Sequence, residues 1–363
     1  MEGFKNFFAT RGGIIFVGLV IGVFAPVLQN LGNPPNMGIC VACMERDIAG
    51  SLGLHRAAVV QYMRPEILGF VLGAFLSALA FKEYRPRGGS APFIRFILGV
   101  FAMIGALVFL GCPWRTILRL AGGDGNAIFG LLGLIFGIWV GTRFLKAGYS
   151  LGRTQTAPSK AAGLAFPLLM LGFLILLFID PQPEGEGRGM LLFYSLKGPG
   201  AQHAPLFISL GVGLLIGVLA QRSRFCTMGA FRDLLLFKQG HLFSGVAAFF
   251  IAALITNLIL GQFHPGFEKQ PIAHTMQLWN FLGMTLAGLA FTLAGGCPGR
   301  QLFMSGEGDA DAAVFASGMI VGAGIAHNFG LASSPAGIGP NGAVATIIGL
   351  IVCVIIGLTM RRR

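Results

Sequence analysis

The chain has 363 residues, of which 55% are hydrophobic and only 11% charged, with 56 glycines and 33 phenylalanines. This excludes an ordinary soluble domain, which needs far more charge to cover its surface. The net charge of +12 does not mark a nucleic-acid partner, because a polyanion footprint requires a contiguous basic face and here the basic residues fall in short clusters between apolar runs.

Lys5 and Arg11 precede an apolar run over 14–28 that no small-residue cleavage site follows, so the run reads as a retained first span. Segments near the roughly 20 residues that cross a bilayer fall at 13–31, 66–82, 93–111, 127–145, 163–179, 205–221, 242–261, 277–296, 312–328 and 342–360. The predicted fold is an all-α polytopic membrane protein of about ten transmembrane helices. Between the spans lie pieces too short to cross, at 38–54, 112–121, 226–238 and 298–306, and each carries or follows a cysteine. Non-helical backbone at membrane depth is tolerated only where protein or a cavity surrounds it, so these pieces read as re-entrant or broken helices.

Positive charge sets the orientation. With the N-terminus cytoplasmic, the inside segments hold Lys5, Arg11, Lys82, Arg85, Arg87, Arg95, Arg143, Lys146, Arg153, Lys160, Arg222, Arg224, Arg232, Lys238, Arg300 and Arg361 to Arg363, which is 18 of the 26 basic residues. The linker over 180–204 carries Asp180, Glu184 and Glu186 and is placed outside the cell. Both termini are therefore expected in the cytoplasm.

The two halves repeat. Cys40 is followed by Arg46 and Asp47, and Cys226 at the same spacing by Arg232 and Asp233. From Cys40 to Cys112 is 72 residues, and from Cys226 to Cys297 is 71. Cys112-Pro113-Trp114-Arg115 matches Cys297-Pro298-Gly299-Arg300, and Asp124 and Asp309 each lie 12 residues beyond. This divides the chain into a first repeat over 1–160 with its last span at 163–179, the linker, and a second repeat over 205–360. Five spans per half make the second repeat inverted, which places substrate sites at the repeat interface near broken helices. Glycine series such as Gly130, Gly133, Gly137 and Gly141, and Gly211, Gly213 and Gly217, suit close helix packing.

Chemistry concentrates at the cysteines. The six at 40, 43, 112, 226, 297 and 353 are neither the disulfide framework of a small secreted domain nor, by spacing, a metal site, and the Cys40/Cys43 spacing lacks the βαβ context of a redox motif. Nothing implies a cofactor, and no nucleotide-binding P-loop is present. Cys353 reads as a packing residue, and so does Cys43, whose counterpart is Gly229. Cys40, Cys112, Cys226 and Cys297 recur at fixed offsets and are expected to line one central path, two from each repeat. Pro113 and Pro298 suit the first position of a helix, which puts Cys112 and Cys297 at N-caps where free N–H groups favour an anion. Polarizable thiols suit a soft anion such as thiosulfate, hydrosulfide or a selenium analogue, whereas phosphate favours arginine forks. Arg46, Arg115, Arg232 and Arg300 either draw that anion or pair with Asp47, Asp124, Asp233 and Asp309. Asp124 and Asp309 are expected to cap the next span. His327 reads as a satisfied helix-end residue, with proton carriage as the alternative, and His264 and His274 read as loop residues.

The paired Gly-Cys-Pro-Trp-Arg and Gly-Cys-Pro-Gly-Arg motifs, together with Arg-Phe-Cys-Thr-Met-Gly-Ala-Phe-Arg-Asp over 224–233, resemble the YeeE/YedE family of membrane proteins. The resemblance implies uptake of a sulfur species across the inner (plasma) membrane, with cysteines along a central pathway hydrogen-bonding the passing ion. On this chain those positions are Cys112, Cys226 and Cys297, with Cys40 the remaining repeat partner. The acidic linker and Cys43 resemble the YedE branch, which implies selenium metabolism and a small cytoplasmic sulfur-carrier-like partner. Trp114 against Gly299 departs from symmetry, so the two ends of the path are not expected to be equivalent. The reading is a permease for a thiosulfate-like or selenium-containing anion. The alternative is an enzyme that forms a persulfide or selenopersulfide, with Cys226 as nucleophile, and hands it to a cytoplasmic carrier. An assembly subunit without transport of its own is a weaker third reading.

Overall fold

The computed structural model describes residues 7–361; Lys5, Arg362 and Arg363, on which part of the orientation rests, lie outside them. The fold is carried by α1 (Arg11–Asn30), α2 (Val41–Ser51), α3 (Pro65–Ala80), α4 (Pro92–Phe109), α5 (Pro113–Ala121), α6 (Asn126–Lys146), α7 (Ala165–Ile179), α8 (Leu206–Ser223), α9 (Thr227–Phe237), α10 (His241–Ile259), α11 (Gln277–Ala294), α12 (Pro298–Gly306), α13 (Ala310–Asn328) and α14 (Gly342–Thr359). Ten of these coincide with the expected spans, and α2, α5, α9 and α12 with the four short pieces. Among the described residues, eight helical runs are long and apolar enough to cross a bilayer, and α3 and α7 are shorter apolar helices. The protein is a multi-pass, all-α membrane protein.

Two of those runs, Pro92–Ala121 and Gln277–Gly306, are 30 residues long. A straight helix of that length would reach about 45 Å, past a hydrocarbon core of about 30 Å, so the chain must turn within it. It turns where a left-handed residue ends each long helix: Leu110 at φ 65° after α4 and Gly295 at φ 89° after α11. Arg224 at φ 56° ends α8 in the same way before α9. A cysteine stands two residues after each turn and becomes the N-cap of the next short helix.

The long interfaces join the halves to each other. Helix α1 lies along α10 and α3 along α8; α4 lies along α13 and α6 along α11; α4 and α11 meet each other. Exchanging each first-half helix for its second-half counterpart converts α1–α10 into α8–α3 and α4–α13 into α11–α6, so the duplication is written in the packing as well as in the motifs. The last span of each half departs from this exchange, since α7 rests on α3 while α14 rests on α4 and α11.

Loop contacts sort the chain ends of the helices onto two faces. On one, Arg87–Gly88 pairs with Gln155–Thr156, Ser150 N–H donates to the Met360 carbonyl, and Arg85 N–H donates to the Glu307 carbonyl. On the other, Ala204 N–H donates to the Asn33 side chain, Phe193 N–H to the Ser51 carbonyl and Gly125 N–H to the Gly266 carbonyl. The acidic linker belongs to this second face, where buried Arg64 donates to the Pro199 and Gln202 carbonyls at 2.7 and 2.9 Å.

The glycine series divide on inspection of their neighbours. A methyl group on Gly133 of α6 would fall on the Phe281 carbonyl of α11, whereas one on Gly211 of α8 would meet nothing within 4 Å. Gly133→Ala is therefore expected to cost about 1–3 kcal/mol through overpacking, and Gly211→Ala to be neutral or to gain up to about 1 kcal/mol from helix propensity. Thermal melts of the two variants in one detergent check the contrast.

Candidate functional site

The four repeated cysteines come together as two pairs, each within one half. Cys40 Sγ and Cys112 Sγ are 3.7 Å apart, and Cys226 Sγ and Cys297 Sγ are also 3.7 Å apart. All six cysteines are free and buried. Each pair is built from two helix N-termini. At the N-caps of α2 and α9, where an oxygen side chain is usual, Cys40 Sγ accepts from Cys43 N–H at 3.4 Å and Cys226 Sγ from Gly229 N–H at 3.2 Å. Cys112 and Cys297 are the N-caps of α5 and α12, with Pro113 and Pro298 at the first helical position, and their sulfurs make no such cap bond. They turn to the partner thiol, within electrostatic reach of backbone N–H groups from both helices of the pair: Arg115 and Ala42 for Cys112, Arg300 and Thr227 for Cys297. Each pair is thus two soft sulfurs set among main-chain N–H groups at dipole-positive helix ends.

Trp114, directly after Pro113, is 1% exposed and is ringed by Phe70, Phe225, Phe249 and Phe303 at centroid separations of 5.6 to 6.1 Å around the cluster. Its counterpart Gly299 faces it: a methyl group there would sit 3.2 Å from the indole ring. The large side chain of one repeat occupies the room that the other repeat leaves open, and the indole with its phenylalanines packs between the two Cys-Pro turns.

The arginines partly depart from the expected pairing. Arg46 and Asp47 pair at 2.7 Å and Arg232 and Asp233 at 2.8 Å. Asp124 pairs with Arg119 at 2.6 Å, not with Arg115, and Asp309 with Arg87 at 2.7 Å, not with Arg300. Helix length explains this. Arg115 and Arg300 are on the first turns of nine-residue helices, about 13 Å long, and the aspartates lie past the far ends. Arg119 is in the last turn and reaches Asp124, but its counterpart is Met304, so Arg87 from the α3–α4 loop serves Asp309. Arg115, fully buried, donates instead to the Asn36, Leu110 and Ile272 carbonyls and approaches Cys43 Sγ at 3.5 Å, while Arg300 pairs with Glu307 at 3.2 Å. Asp309 caps α13 by accepting from Ala312 N–H, and Asp124 accepts from Asn126 N–H at the start of α6.

The pairs differ in access. A cavity of about 410 Å³ on the face that holds residues 8 and 9 reaches Cys226 and is lined by Arg222, Arg224, Arg232 and Arg300. A neighbouring cavity of about 330 Å³ shares Arg224 and Arg300 and adds Arg85 and Arg87. Cys226 is 6% exposed, against 0%, 1% and 0% for Cys40, Cys112 and Cys297.

One histidine corrects its expectation. His327 is not satisfied: its ring lies 4.4 Å from that of His55, tilted by 35°, and its Nε2 is buried without a partner. His274 is in a loop but 2% exposed, docked through Nε2 on the Val108 carbonyl at 2.8 Å, whereas His264 is an exposed loop residue. Sequence reasoning passed over Arg64, Arg119 and Glu45, all fully buried; the available signal was a charged residue in a short piece or at the start of a span with no matching charge in the other half.

Fold and site define a multi-pass membrane protein with duplicated thiol pairs at broken-helix ends. Residues 222–360, the second half, match the family described as Sulphur transport. Over 104 residues, 28% of this chain and 31% of the relative, the sequence is 36% identical to a protein of Spirochaeta thermophila named Thiosulfate transporter TsuA. Over 97 residues, 26% of this chain and 27% of the relative, it is 31% identical to the Escherichia coli protein of the same name. The chain matches under a third of the length of either relative. Over this second half the chain is similar to the YeeE/YedE family.

The difference in access predicts a labelling pattern. In intact membranes a polar maleimide is expected to modify Cys226 first, and Cys226→Ser to remove most of the fast-reacting thiol; peptide mass mapping reads both.

Proposed function

We propose that the chain carries a sulfur-centred soft anion, thiosulfate or a selenium analogue, across the cell's inner membrane along a route that passes the Cys40/Cys112 and Cys226/Cys297 pairs. The observation that carries the reading is the recurrence of the same thiol pair, at the same sulfur separation, on matched helix N-termini of both halves. Such a site offers S–H donors, main-chain N–H groups and a positive dipole end without a bound carboxylate to compete. The names of the two relatives support the cargo class. The inverted-repeat reading, with residues 1–160 and 205–360 as its units, puts one pair toward each side of the membrane. The positive-charge bias makes the arginine-lined cavity cytoplasmic, together with both termini.

In this reading Arg222, Arg224, Arg232 and Arg300 hold the ion electrostatically at the cytoplasmic mouth, and Pro113 and Pro298 fix the helix starts. Arg46 and Arg115 provide positive charge near the other pair. Trp114 closes the route between the pairs and must shift for an ion to pass, since its ring fills the space beside Gly299. The basic mouth also suits an acidic surface on a small cytoplasmic sulfur-carrier-like protein.

One observation favours a second reading, persulfide formation: the cavity reaches a single thiol, Cys226. There the Cys226 thiolate would attack the sulfane sulfur of thiosulfate, forming a Cys–S–S bond as the S–SO₃ bond breaks and sulfite leaves with the electron pair. A mass adduct on Cys226 with released sulfite identifies that route.

Uptake of thiosulfate, selenite and selenosulfate into proteoliposomes separates the readings. The transport reading predicts saturable uptake of at least one ion. It also predicts a loss of about tenfold or more in Cys112→Ala, Cys226→Ala and Cys297→Ala, as expected for removing a hydrogen bond to a charged group worth about 1.5–3 kcal/mol. Absence of uptake by folded protein, with sulfite release, would put the enzyme first.

A further inference from the structure

Glu45 lies on α2, five residues after Cys40, and is fully buried, and neither of its carboxyl oxygens has a hydrogen-bond partner. Its counterpart in the second half, five residues after Cys226, is Phe231. The neighbouring carboxylate, Asp47, is by contrast held by two guanidinium groups, Arg46 and Arg64, each at 2.7 Å. An ionised carboxylate with no donor and no counter-ion in a dry interior is far costlier than a neutral acid. Charged or titratable groups on the helices packed around α2 include Arg64 and Glu66 at the start of α3, Arg95 on α4, Arg300 on α12, and Asp311 and His327 on α13; none of them bonds either Glu45 oxygen.

Resting on the anion-transport reading, we propose that Glu45 is a proton-binding site that couples entry of the anion at the Cys40/Cys112 pair to co-entry of a proton. The charge around that pair supplies the argument. Arg46 and Arg64 share one carboxylate, Asp47, while Arg115 is bonded to carbonyl oxygens. With Glu45 protonated, these three guanidinium groups outnumber Asp47 and Glu66, the buried carboxylates of α2 and α3, and leave net positive charge for an anion such as thiosulfate; with Glu45 ionised that surplus is cancelled and the anion meets a bare carboxylate. Proton and anion therefore raise each other's affinity reciprocally. The proton comes from the outer solution, rides on a Glu45 carboxyl oxygen, and leaves to the cytoplasm after the anion has moved on to the second pair, where Phe231 offers no acceptor. An inward proton gradient then drives an anion that the membrane potential opposes.

The test uses the full chain in proteoliposomes with a pH-sensitive dye in the lumen and thiosulfate outside, at equal pH and with the outside one unit more acidic. Wild type is expected to show several-fold faster uptake under the gradient and acidification of the lumen when thiosulfate is added. Glu45→Gln is expected to lose both responses, Glu45→Asp to keep them in part, and Glu186→Gln in the exposed linker to keep them fully. Thiosulfate uptake by wild type without lumen acidification overturns the coupling while leaving transport standing, and so does an unchanged gradient response in Glu45→Gln. No uptake at any pH overturns the transport reading beneath it.

Discussion

Four helix N-termini buried inside a membrane-spanning bundle are the constraint on which the rest of this structure depends. Away from water, unsatisfied N–H groups cost several kcal/mol each, so a broken helix at membrane depth must either cap its own end or reserve it for a negatively charged visitor. Here the caps are sulfur. Cys40 and Cys226 spend their sulfur on a cap bond, and Cys112 and Cys297 lean on the first pair with proline removing one N–H at each start. The buried ion pairs, the aromatic cluster and the glycine-faced long helices hold these four ends in register.

Symmetry builds the scaffold and asymmetry gives it a direction. The long interfaces exchange cleanly between halves, but the residues nearest the thiols do not: Trp114 stands against Gly299, Cys43 against Gly229, Glu45 against Phe231, and Arg119 against Met304. Each difference changes what an ion would meet at the two ends. One pair is reached by an arginine-lined cavity; the other is buried, with Arg115 against the neighbouring Cys43 and, on the helix that Cys40 caps, a carboxyl that has no partner. On the proposed account the first is a mouth and the second a selective, proton-linked station.

Much of this was legible in the sequence because hydrophobic runs and repeat offsets are local or additive signals. All ten spans and the four short helices fall where apolar length and the cysteines place them. The 72- and 71-residue spacings that marked the repeat are the separations of the thiol partners themselves. What the sequence did not yield depends on three-dimensional reach. Arg115 was the obvious mate for Asp124 by motif position, but it is nearly a whole short helix away, and Arg119 lies within reach. Asp309 takes Arg87 from a distant loop, a choice no spacing encodes. His274 is buried although it sits in a loop, because that loop folds onto the end of α4. The filling of Gly299's space by Trp114 follows from the approach of the first turns of α5 and α12, which only the fold creates.

The central claim is that the anion sits at the thiol pairs. The most direct measurement is the structure of the protein with selenosulfate bound, locating selenium by its anomalous signal. The account predicts selenium in contact with Cys226 and Cys297, with Cys40 and Cys112, or with both pairs, on either side of Trp114. Selenium bound elsewhere, with both pairs unchanged and empty at saturating ligand, would contradict it.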